Sequence, residues 1–145
     1  MTTDLSVVIS RPGAEVWAHL TDWSRAHEWM GRVEGLSVLD LDRPLSAGTL
    51  LTARFSGDED AAVIVRFEPC RALAIRWQRG LVAVVDIYLL EANGSDTKLT
   101  LERVRIDGSA HRWFRVPALR LVGDRHFGRR ELKAFKRLVE SSDHP

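Results

Sequence analysis

The 145-residue chain has only one cysteine, Cys70, and only one tyrosine, Tyr88. A single cysteine excludes an internal disulfide and a cysteine-rich metal site, so a reducing cytoplasm is the expected location. No apolar stretch approaches the roughly 20 residues that a membrane-spanning helix needs, and no membrane span is expected. The first residues also lack the basic and apolar regions of a signal peptide.

Motifs that would indicate a familiar chemistry are missing as well. The five histidines show neither H-x-x-x-H nor H-E-x-x-H spacing, so no metal site is expected. The nucleophile elbow G-x-S-x-G, the phosphate-binding loop and the dinucleotide glycine pattern are all absent. These absences count against hydrolases and against nucleotide or nicotinamide enzymes, and no cofactor is expected.

The composition is that of an ordinary globular protein, with 45% hydrophobic and 28% charged residues. The length suits one domain, residues 1–145, with a real core. The net charge of +1 hides an asymmetry, because residues 112–137 are strongly basic and the remainder is acidic. Such a segment either binds an anionic surface or forms a solvated helix face, and the second is the commoner case.

The periodicity of apolar residues predicts one strand, two short helices, six strands and a long helix. Residues 5–9 alternate as a strand, Pro12 begins a first helix that reaches Leu20, and Asp22 caps a second one that reaches Trp29. The six later strands are expected at residues 33–40, 49–55, 63–67, 73–77, 81–90 and 98–106. Short turns between them indicate an antiparallel meander, so the fold class is α+β in the order β-α-α-β6-α.

Residues 117–140 have the apolar spacing of a helix that covers this sheet, with Leu121, Gly128, Leu132, Phe135 and Val139 on one face. Arg125 interrupts the stripe, and Gly128 leaves a gap in it. Both features favour a helix that lies over a space as well as over a core. Pro117 either occupies the first helical position or kinks a helix that began near Ser109.

The order of several motifs resembles the START-like (helix-grip, SRPBCC) superfamily, in its polyketide cyclase/dehydrase and lipid-transport branch. Residues 9–23 read ISRPGAEVWAHLTDW, and further matches are Glu28-Trp29, Gly48-Thr49, FEPCRAL at 67–73, YLL at 88–90 and TKLT at 97–100. The resemblance implies a curved seven-stranded antiparallel sheet that grips the C-terminal helix. It also implies an apolar cavity between them for a lipid, sterol, polyketide or similar molecule. It indicates no particular reaction.

A hairpin of the last two strands brings together the residues best suited to chemistry. If Tyr88 and Leu101 share a face, Asp86 lies opposite Arg103 and Val84 opposite Arg105. A buried acid–base pair beside Tyr88 would orient a ligand or transfer a proton. The alternative is a partly solvated pair near the open end of the sheet, since a register error of one residue turns both side chains outward.

The first hypothesis is a cavity that binds a small hydrophobic ligand, with Arg103 or Arg125 meeting an acidic or carbonyl group. Trp113 and Phe114 form either a hydrophobic gate or a loop tucked onto the body. The expected lining is Trp29, Phe55, Val65, Trp77, Val84, Tyr88, Leu101, Arg103, Leu121, Arg125 and Gly128.

Two other functions remain open, although the balance favours binding over catalysis. An aromatase/cyclase- or dehydratase-like enzyme would use Asp86 and Tyr88 as acid–base groups, with Arg103 as a further catalytic candidate. An RNA- or protein-interaction module would use the basic helix face at Arg129, Arg130, Lys133, Lys136 and Arg137. Nucleic acid is the less expected partner, because surface aromatic residues are not interleaved with these charges.

Overall fold

The structure, a computed structural model, describes residues 2–31, 33–55, 57–79, 82–107 and 118–142. For residues 2–4, 79, 82, 106–107 and 118–127 it describes the backbone alone. The helices are α1 (Gly13–Leu20), a 3₁₀ helix (Trp23–Glu28) and α2 (Ala118–Ser141). The strands are β1 (Thr2–Ile9), β2 (Gly35–Val38), β3 (Leu50–Phe55), β4 (Asp58–Glu68), β5 (Ala72–Arg79), β6 (Val82–Asn93) and β7 (Asp96–Asp107).

The described strands form one antiparallel sheet in the order β1-β7-β6-β5-β4-β3-β2. From β2 to β7 each strand pairs with the next, because the turns that join them are short. Gly57 and Gly94 have φ angles of +87° and +66°, which favour glycine in the tight turns after β3 and β6. The antiparallel meander and the α+β class are therefore confirmed. The first strand, β1, pairs with the last, β7, with Leu5 opposite Leu101.

One face of the sheet, here called the inner face, is covered by α2. Side chains alternate along a strand, so the inner face receives every second residue. Leu132, Phe135 and Val139 of α2 are buried against it, which confirms the C-terminal part of the predicted stripe. Buried partners on the sheet are Leu5, Ile9, Leu51, Ile64, Leu73, Ile75, Tyr88, Leu99 and Leu101.

Gly128 brings the backbone of α2 into direct contact with the sheet. A Cβ atom at this position would lie 2.8 Å from Leu5 Cδ1 and 3.5 Å from Leu101 Cδ2. The missing side chain therefore accommodates a close approach of helix and sheet. The interpretation of Gly128 as a gap above an open space is wrong, because the sheet's own side chains occupy that position.

The C-terminal end of α2 is fixed to the corner that follows β1. The Ser10 backbone N–H donates to Glu140 Oε2 at 2.8 Å, and Arg11 Nη2 donates to the Glu140 carbonyl oxygen at 2.6 Å. A guanidinium at a helix C-terminus also complements the helix dipole. The bonded residues are 130 and 129 positions apart in the chain, so these hydrogen bonds join the end of α2 to the first strand of the sheet.

β1 and β4 begin three and five residues earlier than predicted, and two other elements differ from the sequence prediction in type or length. The second short helix is a 3₁₀ helix, and the Asp22 carboxylate accepts from the Ser24 hydroxyl at 2.6 Å instead of capping the helix backbone. β2 is shorter than predicted because the chain turns after Leu39. There the Asp42 N–H donates to Asp40 Oδ1 at 3.2 Å, an Asx-type turn that ends the strand.

Candidate ligand-binding site

The β6–β7 hairpin forms the centre of the candidate site. Asp86 lies opposite Arg103 and Tyr88 opposite Leu101, so the predicted register is confirmed. The inner face is thus divided into successive rows that cross the strands. The row of Tyr88 ends at Leu5 beneath Gly128, and the next row contains Asp86 and Arg103.

Asp86 and Arg103 form a bidentate ion pair, in which one guanidinium donates two hydrogen bonds to one carboxylate. Arg103 Nε donates to Asp86 Oδ1 at 2.7 Å, and Arg103 Nη2 donates to Asp86 Oδ2 at 3.1 Å. The Trp77 indole Nε1 donates to the same Oδ2 at 3.2 Å. Asp86 is only 5% exposed, so the partly solvated arrangement of this pair is excluded.

Glu131 extends this pair from the sheet to the helix. Arg103 Nη2 donates to Glu131 Oε1 at 3.1 Å, and the two side chains are 14% and 13% exposed. Burial disfavours the charge on Arg103, but the carboxylates of Asp86 and Glu131 outweigh that effect and raise its pKa. Arg103 thus meets two protein carboxylates, which weakens the expectation that it binds an acidic ligand group.

Sequence reasoning missed Glu131, although a signal for it was present. Glu131 follows Gly128 by three residues and precedes Phe135 by four, and these spacings place side chains on the same side of a helix. It is also one of few acidic residues in a basic segment. An acidic residue that shares the buried side of a helix needs a buried cation, and Arg103 is that cation.

Tyr88 lies beside this network and is 1% exposed. Burial raises the pKa of Tyr88 well above its ordinary value, and the negative charge of Asp86 raises it further. The phenol therefore stays protonated at neutral pH and acts as a hydrogen-bond donor.

Trp29 joins the 3₁₀ helix, the sheet and α2. Its ring lies edge-on to Tyr88, with centroids 5.9 Å apart, and tilted against Phe135 at 4.7 Å. The side chain is 2% exposed, and its indole N–H has no acceptor within the described part of the chain. The indole N–H of Trp23 is also buried without an acceptor in the described part of the chain.

The inner face continues past Asp86 with further members of the expected lining. Phe55 and Trp77 pack edge to face, with centroids 6.0 Å apart. Val84 is half-buried and lies between Trp77 and Arg105 in the register. The structure brings together on this face Phe55, Trp77, Val84, Tyr88, Leu101 and Arg103.

Val65 does not belong to this lining. It is 46% exposed, whereas its neighbour Ile64 is fully buried. The register of β4 with β5 shifts between Ile64 and Arg66, so Val65 is the extra residue of a β-bulge. The expectation that Val65 lines the site is wrong, because the bulge changes the phase of the strand.

Several expected residues fall outside the described part of the chain. Leu121 and Arg125 belong to α2, but their side chains are not described. Pro117, Trp113 and Phe114 lie in residues 108–117, also outside the described residues. Their expected roles in the site stay predictions.

The basic residues of α2 lie on the opposite side of the helix from the site. Arg129, Arg130, Lys133 and Arg137 are exposed, and Lys136 is half-buried. Among the described residues, no helix is both long and apolar enough to cross a membrane. Nor does the described part bring three His, Cys, Asp or Glu side chains together as a metal ion would require.

A concavity lies away from these residues, at the turn of the β6–β7 hairpin. It has a volume of about 170 Å³ and is open to solvent between Pro12 of the β1–α1 corner and the β6–β7 turn. Cys70, with an exposed thiol and a φ of +62°, lies at its edge. Thr97 lines it too, but its hydroxyl already donates to the Arg11 carbonyl oxygen at 2.8 Å.

Comparison with known proteins assigns the family. Residues 1–140 match the family described as polyketide cyclase/dehydrase and lipid transport, so the chain belongs to it. With its seven-stranded antiparallel sheet and C-terminal helix, it has the helix-grip fold of the START-like superfamily. No curated protein sequence matches the chain significantly.

Solved structures of low sequence identity share the fold. CalU16 from Micromonospora echinospora is 21% identical with a TM-score of 0.70, and the match covers 99% of this chain and 77% of that one. The di-domain ARO/CYC BexL of the BE-7585A biosynthetic pathway is 11% identical with a TM-score of 0.77, over 100% of this chain and 48% of that one. Ara h 8.0201 is 11% identical with a TM-score of 0.76, over 98% and 99% of the two chains. At such identities these likenesses establish the fold alone.

Proposed function

We propose that this member of the polyketide cyclase/dehydrase and lipid transport family binds a small hydrophobic molecule between the inner face of its sheet and α2. The site is centred on Tyr88, Asp86 and Trp77. Membership of the family and the presence of an ARO/CYC protein among the fold relatives support an aromatic or polyketide-like ligand.

The observation that carries this proposal is a set of buried polar groups on an otherwise apolar face. Asp86, Arg103 and Glu131 are charged and buried, which is an inefficient way to stabilise a fold. The Tyr88 phenol, in the next row, is a further polar group that is buried, at 1% exposed. Ligand sites commonly combine an apolar lining with a few convergent polar groups of this kind.

Acid–base catalysis by Asp86 and Tyr88 has less support. Both Asp86 oxygens already accept hydrogen bonds, one from Arg103 and the other from Arg103 and Trp77, so protein donors occupy the carboxylate that would have to face a substrate. The pKa of Tyr88 is raised, so its phenol is a weak proton donor near neutral pH. Both residues are better suited to holding a ligand than to moving protons.

Binding is tested with N-phenyl-1-naphthylamine, an uncharged apolar dye whose fluorescence rises on transfer from water to an apolar site. We expect saturable binding of one dye per chain. Native mass spectrometry of protein purified from its natural host should also show a bound small molecule. An absence of saturation together with an absence of bound material would contradict the proposal.

A matched pair of variants locates the site. Val84 lies on the inner face and Val85 on the opposite face of the same strand. Val84→Phe should weaken dye binding about tenfold or more, because it fills space beside Trp77, whereas Val85→Phe should leave it unchanged. Equal losses in both variants would place the dye elsewhere or indicate a general effect on folding, which thermal unfolding of each variant would identify.

A further inference from the structure

The C-terminal half of α2 carries five cations on the side that faces away from the sheet. They are here called the basic face: Arg129, Arg130, Lys133, Lys136 and Arg137. Four of them are exposed, and Lys136 is half-buried. At about 1.5 Å per residue, the five span only about 12 Å of the helix axis. The charge on this side of the helix is therefore dense.

Lys133 lies at the centre of the basic face and has a cation at each of its four helical neighbours. Arg129 and Arg130 precede it by four and three residues, and Lys136 and Arg137 follow it by three and four. Side chains at these spacings lie next to each other on a helix, and like charges there destabilise it. An ordinary solvated helix face alternates the two signs of charge, and this one does not.

The carboxylates of the same helical segment are bound to other partners. Glu131 accepts from Arg103 on the inner side of the helix, and Glu140 accepts from the Ser10 backbone N–H. No ion pair links the basic face to a carboxylate in the described part of the chain, whereas exposed arginines of the 3₁₀ helix and of β3 have such partners. The repulsion around Lys133 is thus not offset within the described residues, which favours an external anion.

The composition of the basic face restricts what that anion is. Protein interfaces bury an apolar centre from which charged residues are depleted, and the centre here is a lysine. Single-stranded nucleic acids stack on aromatic side chains, and none belongs to this face. The remainder of the chain is acidic, so a long polyanion that extends past the helix would be repelled. A flat anionic surface meets only the exposed side of the helix, and four to eight lysines and arginines on a helix are typical of binding to anionic lipids.

We propose that the basic face docks the protein onto a membrane surface rich in anionic phospholipids. The attraction is electrostatic and reversible. The helix does not insert, because its apolar side is already buried against the sheet at Leu132, Phe135 and Val139. This docking surface lies on the opposite side of α2 from the inner face, and the proposal does not depend on the binding function proposed above.

Cosedimentation with vesicles tests the docking. Vesicles of phosphatidylcholine with about 30% phosphatidylglycerol should bind the protein at low ionic strength, and vesicles of phosphatidylcholine alone should not. Binding should be lost at about 1 M salt, where the screening length falls to about 3 Å. Equal binding to both kinds of vesicle, or binding that persists at high salt, would overturn the proposal.

Two double variants with the same change in net charge locate the surface. Lys133→Gln with Arg137→Gln should weaken vesicle binding about 25-fold, at about fivefold for each cation. Arg76→Gln with Lys98→Gln removes one arginine and one lysine that are exposed on the sheet, and it should change binding by no more than about twofold. Equal losses in the two variants would overturn the role of the basic face.

Lys133→Glu supplies a second readout that separates docking from a structural role. It replaces repulsion with attraction at all four helical neighbours, so it should raise the midpoint of thermal unfolding by a few degrees while it weakens vesicle binding. A lower midpoint would mean that Lys133 stabilises the fold, which would contradict the uncompensated repulsion.

Competition distinguishes a membrane from other anionic partners. Double-stranded RNA and polyglutamate, each at the same concentration of negative charge as the vesicles, should not displace the protein from them. Displacement by the RNA or by polyglutamate would overturn the membrane as the partner, in favour of a nucleic acid or an acidic protein respectively. Dye binding at the inner face should be unchanged in Lys133→Gln with Arg137→Gln, so failure of the docking leaves the binding function standing.

Discussion

The two ends of the inner face are built on different principles, although the same sheet and the same helix form both. At one end Gly128 lies against Leu5 and Leu101, and Phe135 packs against Trp29, and these contacts involve no charged side chain among those that the structure describes. At the other end the helix contributes Glu131, and the sheet contributes Asp86 and Arg103, all largely buried. Tyr88 shares its row with Leu101 and Leu5 and lies next to the row of Asp86 and Arg103, so it is placed where the two ends meet.

This contrast shows that apolar contacts stabilise the fold, whereas the buried charges belong to the candidate site. Apolar contact at the first end removes hydrocarbon surface from water, which is the main favourable term in folding. At the charged end three ions lose their hydration. The electrostatic attraction between them offsets this free-energy cost only when every partner is present. The charged end is therefore stable as a unit and sensitive to the loss of any one member.

The largest predicted effect comes from breaking the charged end. Arg103→Met leaves Asp86 and Glu131 buried without their cation and should reduce the free energy of unfolding by about 3–5 kcal/mol. Urea denaturation followed by tryptophan fluorescence measures this change. The triple variant that adds Asp86→Leu and Glu131→Leu should recover much of the loss, since it removes the buried charges altogether.

A surface pair serves as the control for this variant. Arg25 and Glu28 are linked at 2.7 Å but exposed, and Arg25→Met should cause no measurable change because solvent screens such pairs. If Arg103→Met were as harmless as Arg25→Met, the charged end would be solvated in solution. The contrast between the two ends of the inner face would then disappear.

The apolar end is tested by filling the contact at Gly128. Gly128→Leu should destabilise the protein, because overpacking costs about 1–3 kcal/mol and the gain in helix propensity offsets only about 0.8–1.0 kcal/mol of it. Urea denaturation in a Leu5→Ala background should show a smaller penalty, since shortening Leu5 makes room for the new side chain. An equal penalty in both backgrounds would contradict the close contact between Gly128 and Leu5.

These two ends were not equally predictable from the sequence. The turn at residues 93–96 and the apolar alternation fix the β6–β7 register, so the pairing of Asp86 with Arg103 could be predicted from local information. Local spacing also gave the order of elements and the buried stripe around Phe135. The periodicity also gave the number of strands, and the family resemblance supplied the grip of the sheet on the helix.

What the sequence did not predict depends on contacts between distant segments. A glycine in a helical stripe fits an open space and a close approach equally well, and only the position of Leu5 distinguishes them. The bulge at Val65 inserts one residue and shifts the alternation without a glycine or proline to mark it. The role of Glu131 depends on its ion pair with Arg103, which lies on β7 and is distant in the sequence.

A pH titration examines Tyr88, which lies where the two ends meet. The pKa of Tyr88 is raised in the folded protein, whereas an unfolded chain has the ordinary value of about 10. Above about pH 10 the unfolded state therefore loses its proton first, and the free energy of unfolding should fall by up to about 1.4 kcal/mol per pH unit. Urea denaturation at about pH 9 and about pH 11 measures this fall, and Tyr88→Phe should lack it.

Because Tyr88 is the only tyrosine, its ionisation is directly visible in the ultraviolet absorbance of tyrosinate. The folded protein should show no tyrosinate until it unfolds at alkaline pH. Titration of the folded protein near pH 10 would mean that the hydroxyl is open to solvent, which would contradict the burial of Tyr88 where the two ends meet.

The smallest predicted effect concerns the residue that the sequence wrongly assigned to the inner face. Val65→Ser should change the free energy of unfolding by no more than about 0.5 kcal/mol, because Val65 is exposed at a bulge. Its neighbour Ile64 is fully buried, and Ile64→Ala should cost about 2–5 kcal/mol in the same urea assay. A reversed order of these two losses would restore the unbulged alternation, in which Val65 faces α2. The inner face would then have to be redrawn from β4 to the edge strand β2, because β3 and β2 take their phase from β4.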